Sequence, residues 1–208
     1  MNHHRLIVSI FFCLLLLAGV KSEKIYSNEP QIDAEKTAFS KYDSQGAFSE
    51  GLAVVEYKGK YGFIDREGRE VIPPKFDYAF PFSEGLALIE SGRKYGFIDK
   101  SGKIVIKPIY DMAWEFHEGL AWIELGGKIG FIDKKGSVVI PLIYDKVGRF
   151  REGLINVCVN GKWGYIDRTG KEIIPLIYDD AWLFSDGTAK VSKDGSWFFI
   201  DKNGKKVD

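Results

Sequence analysis

The sequence is short of the residues that carry most chemistry. Two of its 208 residues are cysteine and three are histidine. Cys13 falls in an N-terminal apolar run, which leaves Cys158 alone; one thiol makes no internal disulfide, so packing must hold the fold. His3 and His4 lie in the same N-terminal segment and His117 stands by itself. No His-x-x-x-His, Cys-x-x-Cys, Gly-x-Ser-x-Gly or phosphate-loop pattern occurs, so no catalytic residue, metal or cofactor is assigned. An excess of one charge is lacking too. Lys plus Arg and Asp plus Glu stand at 29 each, which offers neither the basic footprint of a nucleic-acid binder nor an acidic tail. Outside the N-terminal run no stretch keeps a helical period, and no apolar run reaches the roughly 20 residues of a comfortable membrane span.

What is present begins with "LIVSIFFCLLLLAGV", a 15-residue apolar run after the polar "MNHHR". It reads as a secretory signal peptide over 1–22, cut after Ser22 or near Ala18; a retained signal anchor is the competing reading. Cleavage removes Arg5 and Lys21 and no acid, leaving 27 cations against 29 acids, a charge of −2. Residues 23–41 are polar and read as a flexible leader. The expected location is secreted or periplasmic.

The rest of the chain is periodic. "KYGFIDREG" (60–68), "KYGFIDKSG" (94–102), "KIGFIDKKG" (128–136), "KWGYIDRTG" (162–170) and "SWFFIDKNG" (196–204) recur every 34 residues. "EGLA" at 50, 84 and 118, "EGLI" at 152 and "DGTA" at 186 keep the same step. The copies are 42–75, 76–109, 110–143, 144–177 and a shorter 178–208. A fixed period of this size is the signature of a stacked repeat array.

Within a copy the pattern is that of strands. "GLAVVEY" alternates with period two, and its Ala53/Val55 face is expected inward, because its counterparts stay apolar while the other face drifts to Asn156 and Lys190. Lys58-Gly59, Asn160-Gly161 and Asp194-Gly195 mark tight hairpins. "YGFID" is the second strand, and a third, such as "KEIIPL", stops at a proline. Each copy therefore reads as a three-stranded antiparallel meander followed by an aromatic connector. The expected fold is all-β: five tandem meanders stacked as a curved, solenoid-like array. A closed, five-unit, propeller-like ring is the alternative, since 39–208 is five times 34 residues.

In "GKWGYIDRTGKEIIPLIYDDAWLFSDG" (161–187) the combination Trp-Gly-Tyr-Ile-Asp, Gly-Lys, Ile-Pro, Tyr-Asp and Phe-x-Asp-Gly resembles the WG-repeat, or KWG-repeat, proteins of bacteria. The likeness covers about 42–208. Only Trp163-Gly164 is literal; Tyr61-Gly62, Tyr95-Gly96, Ile129-Gly130 and Trp197-Phe198 stand in the other copies. The resemblance implies an exported β-repeat protein of no established catalytic role, and it carries over no catalytic residue.

Three sets of residues compete for a functional role. Asp65, Asp99, Asp133, Asp167 and Asp201 recur in Asp-x-x-Gly, but each is followed by a cation and offers one carboxylate where calcium takes about six to eight oxygens. Turn closure is the plainer reading. Glu56, Glu90 and Glu124 form a broken column on a strand and suit a solvated face better than a glycosidase pair. The connector aromatics Phe80, Trp114 and Trp182, with Gly148 in the fourth copy, and Trp122 on the wetter strand face are the candidate ligand-binding residues. Exposed indoles beside acids suit carbohydrate or protein recognition. The expected function is thus an exported, non-catalytic binding module for a polysaccharide or protein at the cell envelope. A structural envelope role and, behind it, a glycan-acting enzyme are the alternatives. No nucleic-acid partner is expected.

Overall fold

The structure is a computed structural model that describes residues 41–207. The signal peptide over 1–22 and all of the leader except Lys41 lie outside the described residues.

The described residues are all β and fold into five antiparallel sheets, one per copy. The first contains β1 (Ser44–Ser49), β2 (Leu52–Tyr57), β3 (Lys60–Ile64) and β4 (Glu70–Phe76). The second contains β5 (Tyr78–Ser83), β6 (Leu86–Ser91), β7 (Lys94–Asp99) and β8 (Ile104–Tyr110). The third is β9 to β12 (Met112–Ala113, Ala121–Leu125, Lys128–Ile132, Val138–Tyr144). The fourth is β13 to β16 (Lys146–Val147, Leu154–Val159, Lys162–Asp167, Glu172–Tyr178), and the fifth is β17 to β20 (Asp180–Ala181, Thr188–Lys193, Ser196–Asp201, Lys206–Val207).

Each sheet has four strands where the sequence led us to expect three. The connector supplies the extra one. In the second copy Tyr78 pairs with Glu90, Ala79 with Ile89, Phe82 with Ala87 and Ser83 with Leu86. Glu84-Gly85 makes the hairpin, with φ of 53° and 88°, and the same two-residue turn recurs at Asp186-Gly187 with 52° and 78°. Two successive positive φ values define the turn type that matches strand twist, which explains a glycine fixed at the second position. The strand is interrupted by a bulge between Ala79 and Phe82, so in later copies only two residues of it remain regular.

The glycine of the recurrent nonapeptide answers to its own sheet. A Cβ on Gly164 would lie 2.6 Å from the Ile174 carbonyl oxygen and 2.7 Å from Pro175 backbone atoms. The fourth strand bulges toward β15 at that point, where the pairing shifts between Trp163↔Tyr178 and Tyr165↔Ile174. Only a residue without a side chain admits so close a backbone.

Sheets stack face to face, and the seams hold the core. The ring two places beyond the nonapeptide's large residue meets the connector Phe of the next copy. Phe63 with Phe82 and Phe97 with Phe116 have centroids 4.8 Å apart, Tyr165 with Phe184 4.9 Å, and Phe131 with Phe150 5.6 Å. The expectation of one wet strand face fails in the second and fourth copies. Leu88, Asn156 and Cys158 are as buried as Ile89 and Val157 beside them, because the next sheet covers the face that a single sheet would leave open.

Among the described residues the hydrogen bonds between sheets join successive copies only, and no strand of the fifth sheet pairs with the first. Phe63 is fully buried while its counterpart in the fifth sheet, Phe199, is 49% exposed. The array is therefore open and solenoid-like rather than a closed ring.

Candidate functional site

The repeated carboxylates are engaged in turns. Asp167 accepts the backbone N–H groups of Thr169 (2.8 Å) and Lys171 (3.1 Å) with one oxygen, and Asp65, Asp99, Asp133 and Asp201 do the same in their copies. The connector acids bridge copies. Asp77 accepts Lys60 Nζ of the preceding sheet at 2.5 Å and the Gly92 N–H of its own at 2.6 Å. Asp111, Asp145 and Asp179 repeat this with Lys94, Lys128 and Lys162. The lysine partner, and then the backbone N–H, hold these carboxyls below the ordinary range. A third ladder runs through the hairpin glutamates: Glu84 takes the Gly119 N–H at 3.0 Å and Lys134 Nζ at 2.9 Å, both in the next copy.

The connector aromatics fall into two groups. Trp114 and Trp182 are 54% and 57% exposed. Each is fixed at the backbone, Trp114 N–H donating to the Trp122 carbonyl (3.1 Å) and Trp182 N–H to that of Lys190 (2.9 Å). Phe80 and Trp122 are half-buried: Phe80 packs on the core between the second and third sheets, Trp122 on the core between the third and fourth. The structure thus places two of the four candidate residues at the surface and two in the seams. Around Trp182 the environment is elaborate. Trp197 meets it edge-on with centroids 5.8 Å apart, and Lys190 Nζ lies 5.3 Å from both ring centroids.

The fourth copy departs from its siblings at three positions, 149, 156 and 165, that converge here with Gly148. Residue 148 is glycine, as is Gly46 of the first copy, where Phe80, Trp114 and Trp182 stand in register. Asn156 stands in register with Val54, Leu88, Trp122 and Lys190; it is 6% exposed, and its Nδ2 donates to the Ala181 carbonyl at 2.7 Å. Its Oδ1 is buried and finds no partner. Such an acceptor costs about 1–3 kcal/mol in desolvation. Tyr165 replaces a phenylalanine, and its hydroxyl donates to the Trp182 carbonyl at 2.6 Å. Burial pushes that phenol strongly up, so it remains a donor. Arg149 occupies the register of Ala47, Pro81, Glu115 and Leu183; it is exposed and makes no ion pair among the described residues. Gly148, Arg149, Asn156, Trp182 and Leu183 line an open depression of about 520 Å³. Asn156, Tyr165 and Arg149 escaped the sequence reading. The available signal was Tyr165, which stands in a column that is phenylalanine in every other copy.

A family model for the WG-containing repeat matches five tandem segments, 38–61, 61–95, 95–128, 129–163 and 163–197. The chain belongs to the WG-repeat family. The last four segments run from one nonapeptide to the next, so each of them straddles the seam between neighbouring sheets of this WG-repeat array. No curated protein matches the chain. Among solved structures it is similar to Hsv2 of Kluyveromyces lactis at 11% identity, covering 79% of this chain and 62% of that one, with a TM-score of 0.44. A eukaryotic initiation factor gives 10% identity, 78% and 53% coverage and a TM-score of 0.47. A protein of unknown function from Bacteroides caccae gives 13%, 80% of both chains and 0.31. The chain spans less than two thirds of the length of the Hsv2 chains it resembles.

Proposed function

We propose that this WG-repeat chain is an exported, non-catalytic binding module that takes a cell-envelope glycan or a protein surface along its tryptophan edge. The observation that carries the reading is the exposure of Trp114 and Trp182, each more than half open on a rigid β scaffold while their neighbours in register are smaller or half-buried. Large indoles held at the surface by backbone bonds supply contact area at little entropic cost, which is what recognition uses. Supporting the non-catalytic part, the two recurrent aspartate columns are engaged in turn and inter-copy bonds, so these acids serve the scaffold. Supporting export, the N-terminal sequence has the polar, apolar and small-residue order of a signal peptide.

The test is a screen of the mature chain against immobilised glycans and peptides, run beside Trp114→Ala and Trp182→Ala. We expect one ligand class whose signal drops about tenfold in at least one variant, the size of a single lost hot-spot ring, with melting temperature nearly unchanged. Empty arrays, or variants that bind like the parent, overturn the reading.

A further inference from the structure

The seam between the third and fourth sheets is packed unlike the others. Three of its side chains outgrow their counterparts in register. Trp122 stands where the second copy has Leu88, and Val147 and Ile155 stand where the second, third and fifth copies have alanine at both positions. All three belong to or pack on the core of this seam. A close-packed core that takes on extra volume moves its neighbours apart. The Phe131 and Phe150 ring centroids are 5.6 Å apart, against 4.8, 4.8 and 4.9 Å in the other three pairs. Phe150 is half-buried where Phe82, Phe116 and Phe184 are buried, and Leu120 is half-buried where Leu52, Leu86 and Leu154 are buried.

The tie across this seam differs too. Glu50, Glu84 and Glu152 each accept a glycine N–H and a lysine ammonium of the next copy. Glu118 makes no such bond to Gly153 among the described residues, and its side chain is 63% exposed, against 31% for Glu152. Arg168 of the fourth copy holds it instead. One guanidinium nitrogen donates to the Glu118 carboxylate and the other to the Glu118 carbonyl at 2.8 Å. The guanidinium carbon lies 4.6 Å from the Phe150 ring centroid, over the ring that the widened seam leaves half open. A planar guanidinium can lie on a ring while it donates from its edge, and an ammonium cannot.

We propose that this seam is the opening joint of the array and that Arg168 is its latch. With the latch made, Phe150 stays covered and the seam stays shut. With it released, copies one to three and copies four and five part here before any other seam yields, and the packed face of Trp122 meets solvent. Local openings of this kind draw on the least stable contacts of a fold. The device stands on packing and does not depend on what the tryptophan edge binds.

The experiment follows how fast iodoacetamide alkylates a thiol placed in each seam of the native mature chain, each rate divided by that of the same chain unfolded in urea. In a Cys158→Ser background, Val157→Cys reports on this seam and Ile123→Cys on the seam between the second and third sheets; both positions are fully buried. Val157→Cys should react at least tenfold faster than Ile123→Cys. Adding Arg168→Ala should quicken Val157→Cys a further tenfold and leave Ile123→Cys within twofold. Lys134→Ala, the equivalent change at the other seam, should quicken Ile123→Cys less than threefold. Equal rates in the two seams, or an Arg168→Ala chain that quickens both thiols alike or neither, overturns the proposal. Where Arg168→Ala does not fold, Arg168→Lys, which keeps the charge and loses the stack, is read in its place: quickening of Val157→Cys alone supports the latch, and no quickening overturns it.

Discussion

The seam between the second and third copies and the seam between the fourth and fifth are built on the same backbone plan and filled differently. In the former, Leu88, Phe97, Ile106 and Phe116 meet Ala121, Ile123 and Ile132, with Phe80 packed alongside and the Tyr110 ring at the edge of the cluster. In the latter, Tyr165 and Asn156 put a hydroxyl and an amide into the equivalent places and spend them on the Trp182 and Ala181 carbonyls. Both seams share the same aspartate–lysine bridges, Lys94 to Asp111 in the former and Lys162 to Asp179 in the latter. The buried hydroxyl and amide are the addition of the second seam, and they act on the position of one exposed indole.

The comparison can be broken most severely at the apolar seam. Phe97 is fully buried against Phe116, so Phe97→Ala should lower unfolding free energy by about 3–5 kcal/mol in urea titration. A loss below about 1 kcal/mol would mean that the aromatic pairs do not hold the stack. The corresponding change at the polar seam is milder. Tyr165→Phe keeps the ring and restores the residue of the other copies, so it should cost only about 1 kcal/mol, the net worth of one hydrogen bond. It should nonetheless shift the fluorescence of Trp182. Stability lost without any change in the indole signal would deny Tyr165 its positioning role.

The smallest difference is expected under acid. Asp111 and Asp179 bridge the two seams alike, each to a lysine of the preceding sheet and to a backbone N–H, and both carboxyls sit below their ordinary range. A depressed carboxylate contributes stability that is present above the unfolded pKa, about 3.9, and is lost as pH falls through the folded value. The melting temperature should hold from pH 8 to about 5 and fall below about pH 4 in parent and Tyr165→Phe alike. A fall that begins above pH 6 would point to groups other than these aspartates.

Much of this was legible in the sequence because a fixed period converts one good reading into five. Alternation in "GLAVVEY" and paired turn signals gave three strands of every sheet, but the strand expected to stop at Pro175 runs through it to Tyr178, because the pairing shifts there and the proline is owed no ladder bond. The extra strand was hidden because its two-residue turn is written Glu-Gly in four copies, and glutamate is an uncommon bearer of positive φ. Asp186-Gly187 alone spells the turn in familiar letters. The candidate site was harder for a different reason. Whether Trp114 or Trp122 faces water depends on what the next copy sets against it, and neither alternation nor column composition records that. Trp163 illustrates the same point: it is only half-buried, and the fully buried work falls to the ring two residues on, such as Phe97 in its copy, whose backbone is set by the glycine before it.

The ties that reach from each sheet only to the next have a mechanical consequence. A molecule so connected has no long-range brace to spread a load. Held at both ends and stretched, it parts seam by seam, and each released copy of 34 residues adds about 110–120 Å of slack chain. Its force–extension record is a staircase of even treads, quite unlike the single yield of a domain whose first and last strands are sewn together.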